Sequence, residues 1–248
     1  ARENKFNINW NNRKIPKPNF IGIKEVMNYT VSDLRPYIDW TFFFIAWEMK
    51  KLYPDILEDS AYGKEAKKIF NDANKMLDFI EENNIVDIKG VFGIFKANSN
   101  GDNIELYNKD KSLAATFNLF REQRKKNKGP YLCLSDFIAP KEINKDDYLG
   151  GFIVTTGLKA DEYVKKLESE GDSYNAIMLK LVCDRLAEAF AEKLHEDIRK
   201  NYWGYAKDEN LSMKEIFKAS YRGIRPAFGY PSLIDQSQMK ILFNLLNG

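Results

Sequence analysis

The chain has 248 residues, 44% of them hydrophobic and 30% charged, which suits one large domain or two small ones with a real core and excludes a disordered chain. Lys and Arg number 38 against 36 Asp and Glu, a formal net charge of +2, so no basic surplus argues for nucleic acid as the main partner. The longest apolar stretch, Trp40 to Trp47, is far too short to span a bilayer, and the first residues lack the apolar core of a signal peptide.

Taken in chain order, residues 1–20 are polar and contain Pro16 and Pro18, which reads as a linker or an extended lead-in segment ahead of one domain over 21–248. Ser32-Asp33 can cap a short turn, and Tyr37-Ile38-Asp39-Trp40 leads into the aromatic block that ends at Trp47. Glu58 to Glu82 has helical spacing, with Ala66, Ile69, Phe70, Ala73, Met76, Leu77 and Ile80 in one apolar stripe. Ile88 to Ala97 and Ile104 to Tyr107 read as strands around Asn98-Ser99-Asn100-Gly101-Asp102, whose Asn-Gly is a strong hairpin signal.

Leu113 to Lys128 reads as a helix with a basic end, Arg124-Lys125-Lys126-Asn127-Lys128, either a solvated terminus that suits the helix dipole or a docking patch for an acidic protein. Tyr148 to Thr156, rich in β-branched and aromatic residues, reads as a buried strand. The longest helix is expected from about Ser173 to Trp203, with Leu179, Val182, Leu186, Phe190, Leu194 and Ile198 facing the core and Asp184, Glu188, Glu192, His195 and Arg199 on another face. Helices and antiparallel-type strands without regular βαβ alternation give the α+β class.

The inventory of reactive side chains is thin. Cys133 and Cys183 sit in apolar settings without Cys-x-x-Cys spacing and read as buried thiols of a reducing cytoplasm. His195 is the sole histidine and has polar neighbours, so it reads as a solvated helix residue, which argues against zinc sites and Ser-His-Asp chemistry; no metal ligand is assigned. Gly90-Val91-Phe92-Gly93 lacks the spacing of a dinucleotide loop and precedes more strand. An Asp-x-His-x-x-Gly loop of the kind that ligates cobalamin is also missing from the sequence.

Tyr221 to Pro231, with two glycines and two prolines in eleven residues, specifies a rigid turn. Within it Arg225 could grip a carboxylate; a structural turn with an Arg–acid bridge explains the composition equally.

The string Arg222-Gly223-Ile224-Arg225-Pro226-Ala227-Phe228-Gly229-Tyr230-Pro231 closely resembles the signature turn of the activation domain of cobalamin-dependent methionine synthases. Tyr37-Ile38-Asp39-Trp40-Thr41, Asp136-Phe137-Ile138-Ala139-Pro140, Asp147-Tyr148-Leu149-Gly150, Asp184 to Glu192 and Tyr202-Trp203-Gly204-Tyr205 resemble further blocks of that family, in the family's order, across nearly all of residues 5–231. Two departures are Phe42, where the family usually has Pro, and Ser232 to Gln238, where it usually has an acidic-His-Thr-Glu-Lys run. Family members usually continue past the position of Gly248, so the domain is expected to be C-terminally short relative to them.

The resemblance implies a helmet- or C-shaped α+β fold with S-adenosylmethionine along its concave face. It implies that Asp39 holds the ligand's amino group, that Arg225 holds its carboxylate, and that Ala227 and its neighbours, Gly229 among them, line it. Tyr230 is implied beside the methyl donor and the cobalt face, as the catalytic candidate, and Glu188 as an acidic helix residue at the same site. The implied activity is reductive methylation of cob(II)alamin, with cobalamin carried by a neighbouring domain or protein and the electron by a flavodoxin-type donor. The cofactors do that chemistry, so no general base is expected here, nor homocysteine methylation by this segment alone. A stand-alone S-adenosylmethionine-binding module serving another corrinoid protein and a non-catalytic interaction domain remain as alternative readings.

Overall fold

A computed structural model describes residues 1–247. It is an α+β protein built on one five-stranded antiparallel sheet with helices packed beside it, as the element pattern in the sequence predicts.

The sheet is organised around one long strand. β2 (Lys89–Asn100) pairs with β1 (Gly22–Val26) through its first half and with β3 (Asn103–Tyr107) through its second half. Both lie on the same edge, because β5 (Asp147–Thr155) occupies the opposite edge from Lys89 to Ala97. β4 (Leu113–Phe117) pairs outside β3. The β2–β3 turn is the two residues Gly101-Asp102, with Gly101 at φ +62, tighter than the five-residue turn read from sequence because Asn98, Ser99 and Asn100 stay in the ladder.

Side chains alternate across the sheet and both faces are apolar. Phe92 and Ile94 of β2, with Tyr148, Phe152 and Val154 of β5, face a large helical core; Phe95, Ala97, Leu149 and Ile153 face a smaller one. The large core is closed by α3 (Gly63–Glu82) and α5 (Ser173–Asp197), with the short α1 (Val31–Leu34), α2 (Trp40–Ala46) and α4 (Lys159–Ser169) around them. The small core is covered by the segment after residue 117 and by α7 (Met239–Leu246), while α6 (Met213–Phe217) is a single short helix before the signature turn.

Several local readings are corrected, each for a physical reason. α1 is capped by Thr30, with Asp33 closing the capping box, rather than by Ser32-Asp33. α3 starts at Gly63 instead of Glu58 because the Asp59 carboxylate accepts the Ala61 and Tyr62 amides at 2.9 Å each, a local turn that competes with helix. The helix read over Leu113 to Lys128 is absent. Its first five residues are β4, and the next part is an irregular chain drawn inward by Arg121, whose guanidinium is 3% exposed and clasps Asp136 through two nitrogens at 2.5 and 2.7 Å and Asp102 at 2.7 Å.

Cys133 and Cys183 are buried free thiols; burial pushes Cys183 up to about 12. Gly90 to Gly93 lie within β2. Residues 1–21 run along the domain: Lys145 Nζ donates to the Trp10 carbonyl at 2.6 Å, and Trp203 Nε1 donates to the Pro16 carbonyl at 3.1 Å. No described helix is long and apolar enough to cross a membrane.

Candidate functional site

A cavity of about 950 Å³ opens between α5, β5, the 222–228 segment, α7 and the N-terminal stretch around Trp10 to Pro16. Its position follows from the topology. β5 pairs only with β2, so its other edge has no strand partner, and Leu149 to Val154 are half-buried or exposed rather than fully buried as the sequence reading predicts. Gly151 keeps this edge low, since a Cβ there would meet Leu242 of α7 at 2.6 Å.

The polar stripe of α5 forms one wall. Glu188, His195 and the small Ala187 and Ala191 line the cavity, and Glu192, one helical turn from Glu188, ion-pairs with Arg225 across it. Beyond Asp197 the helix continues as one π-turn, Ile198–Tyr202, a distortion common at functional sites. It turns Arg199 inward, where the side chain is fully buried.

Arg199 organises the base of the signature turn. Its Nη2 and Nε donate to the two oxygens of Glu209 at 2.5 and 3.1 Å, and its guanidinium lies 4.1 Å from the Tyr221 ring centroid. Its Nη1 donates to His195 Nδ1 at 2.8 Å. An arginine can only donate, so His195 Nδ1 is the acceptor and the neutral ring carries its proton on Nε2. His195 is thus buried and packed edge-on to Tyr221 at 4.8 Å, not solvated. Desolvation, then the charges of Arg199 and Arg225, push its pKa down to about 2.

The turn itself is non-repetitive, with Gly223 and Gly229 both at φ +100, where side-chain-bearing residues are disfavoured. It closes on itself through Tyr230 N to Ala227 O at 3.2 Å and Gly229 N to Leu233 O at 2.8 Å. Arg225 and Ala227 line the cavity, and Arg225 also stands 6.0 Å over the Phe152 ring of β5. Gly229 and Tyr230 lie past the cavity lining, and Tyr230 is 62% exposed. Asp39 is the N-cap of α2, its Oδ1 accepting the Thr41 amide at 3.0 Å. It too stands outside the lining, yet its charge acts on Glu192.

Burial above all, with the charges of Glu188 and Asp39, raises the Glu192 carboxyl against the pull of Arg225 and Arg199. Asp39, Glu188, Glu192 and Arg225 therefore form one electrostatic group, of which Glu188 and Arg225 line the cavity.

The family model described as the vitamin B12 dependent methionine synthase activation domain matches residues 30–248. The chain belongs to that family. A crystal structure of the MetH reactivation domain bound to AdoHcy is similar over 100% of this chain and 76% of that one, at 43% identity and a TM-score of 0.94. The resemblance read from the separate sequence blocks is therefore a true family relationship, and the α+β architecture of this activation domain is that of the reactivation domain.

Glu192 and the buried His195–Arg199–Glu209 assembly are the features sequence reasoning missed. The available signal was the spacing 188–192–195–199, which puts those side chains on one face of α5. Nothing in that spacing says that residues 205–225 come back to cover it. Among the described residues no cluster of His, Cys, Asp or Glu is arranged to hold a metal ion.

Proposed function

We propose that this activation domain binds S-adenosylmethionine in the cavity between α5, β5 and the signature turn. Its partner would be the cobalamin-binding domain of a methionine synthase. The observation that carries the reading is a mostly apolar cavity lined by the Arg225 guanidinium and the Glu188 carboxylate, with Glu192 paired to Arg225 and the charge of Asp39 acting on Glu192. S-adenosylmethionine has a carboxylate for Arg225, an ammonium for Asp39 and Glu188, and a purine and ribose for the cavity. AdoHcy, found in the similar reactivation domain, is what remains of this molecule after its methyl group leaves.

In this reading the domain presents the methyl group for reductive methylation of cob(II)alamin, in which one electron and one methyl cation equivalent yield methylcobalamin and AdoHcy. The protein's part is to bind and orient. Arg225 anchors the carboxylate, Ala227 supplies backbone along the ligand, and Gly229 and the exposed Tyr230 stand beyond the cavity lining, where Tyr230 would meet the cobalt face. Cobalamin itself would reside on the neighbouring domain: the lone histidine is buried and its Nδ1 is already engaged by Arg199. The whole enzyme would be the methyltransferase of methionine biosynthesis, with a cytoplasmic location and a flavodoxin-type electron donor, and this domain alone would not methylate homocysteine.

Calorimetric titration with S-adenosylmethionine tests the binding step. Saturable binding is expected, weakened in Arg225→Ala by roughly 10- to 100-fold, the loss of one charge-assisted carboxylate contact. A folded wild-type protein that gives no binding heat would end the proposal.

A further inference from the structure

Arg225 donates from Nη2 to Oε1 of Glu192, and the contact is one-pronged: Arg225 Nε and Glu192 Oε2 are both buried and neither has a partner. Two other buried guanidiniums of the molecule grip their carboxylates through two nitrogens, although Arg121 Nε is itself left without a partner. Arg121 holds Asp136 through two nitrogens at 2.5 and 2.7 Å, and Arg199 holds Glu209 through two at 2.5 and 3.1 Å. A buried donor and a buried acceptor left over are costly, and an incoming carboxylate able to use both prongs of Arg225 would recover that cost. Glu192 is also crowded by like charge, since Glu188 and Asp39 both act on it. Of these three carboxylates Glu192 alone contacts the Arg225 guanidinium.

We infer that Glu192 is a built-in competitor for Arg225, a latch that an amino-acid carboxylate must displace in order to bind. In the free domain the Glu192 carboxylate occupies the guanidinium. When the ligand's carboxylate takes its place, Glu192 turns to join Glu188 and Asp39 around the ligand's ammonium, so no charge is left stranded. The inference rests on the S-adenosylmethionine reading above. It makes Glu192 a specificity-determining residue. A ligand with both α-carboxylate and α-ammonium compensates both halves of the exchange, whereas a nucleoside without the amino-acid head leaves the latch shut.

The test is calorimetry of wild type, Glu192→Gln and Glu192→Asp with two probes, S-adenosylmethionine and 5′-methylthioadenosine, which keeps the nucleoside and lacks the amino-acid head. Glu192→Asp shortens the reach to Arg225 while keeping a charge for the ammonium and is expected to tighten S-adenosylmethionine binding roughly tenfold, the factor lost when one molecule in ten is open at rest. Glu192→Gln gives up the ammonium contact as well and is expected to tighten it less. Binding of 5′-methylthioadenosine is expected to stay unchanged. Equal or weaker S-adenosylmethionine binding in a folded Glu192→Asp variant overturns the latch and leaves the proposed function standing. Absence of binding in wild type and both variants overturns both. Equal tightening for both probes overturns the latch as well, because it would show a general loosening of the cavity.

Discussion

His195 lies between two cationic side chains, Arg199 and Arg225, and its pKa is pushed down to about 2 by burial and by those charges. The unfolded chain therefore takes up a proton near the ordinary histidine value while the folded chain does not. Between the two values the unfolded state binds more protons, so stability falls as pH is lowered through the range below about 6.5. From pH 7.5 to 5.5 this one group is expected to remove about 1.4 kcal/mol. His195→Gln keeps an acceptor for Arg199 and cannot titrate, so its urea-unfolding free energy should fall less over that interval, by this amount. Superimposable pH profiles for the two proteins would contradict the assignment.

Gly223 makes a second prediction at this scale. Its φ is +100 and a Cβ would come within 2.8 Å of the Tyr205 hydroxyl. Gly223→Ala is therefore expected to cost about 1–3 kcal/mol in unfolding measurements and to weaken S-adenosylmethionine binding, because the turn that presents Arg225 must shift. An alanine variant as stable as wild type would show that the turn is less constrained than its backbone implies.

At the scale of elements, the clearest lesson concerns Arg121. The stretch after Leu113 has helix-forming composition, yet it is β4 followed by irregular chain, because a buried guanidinium shared by Asp136 and Asp102 fixes it from outside the segment. Replacing Arg121 with Met leaves the buried Asp136 without its cation and Asp102 with only the exposed Arg2. The expected loss is about 3–5 kcal/mol, read by chemical denaturation, and the Asp136→Asn/Arg121→Met pair should recover part of it. A negligible loss in Arg121→Met would mean that water compensates the acids and that the clasp is not what orders this segment.

Elements set by their own periodicity were legible: the apolar stripes of α3 and α5, the β2–β3 pairing and the glycine–proline turn are present, although α3 starts later and the hairpin turn is shorter than read. Elements set by distant partners were not. Arg121 depends on Asp102 and Asp136, and His195 is covered by Tyr221 and engaged by Arg199. Glu192 illustrates the limit within the site: its face on α5 can be counted from spacing, but its contact with Arg225 is thirty-three positions away. Without the family's motif, that distance hides the pair.

At the scale of the whole molecule, the near-neutral charge balance leaves association to local patches. Arg124, Lys125 and Lys128 are exposed on the irregular loop and enter no ion pair among the described residues, while Lys126 is paired with Glu122 at 2.5 Å. Turning those three into glutamates in the intact enzyme is expected to leave S-adenosylmethionine affinity unchanged and to slow reduction by an acidic flavodoxin, with a weaker dependence on salt. Unchanged, salt-insensitive reduction would remove this loop from the docking surface.

In the proposed complex the ligand's amino-acid head lies against Arg225 and its nucleoside along the free edge of β5. A crystal structure of this domain grown with AdoHcy tests that most directly. Density is expected along β5, with the carboxylate on Arg225 and Glu192 turned away from it toward the ammonium. A ligand seated elsewhere, or a bound ligand whose carboxylate ignores Arg225 while Glu192 keeps its place, would contradict it.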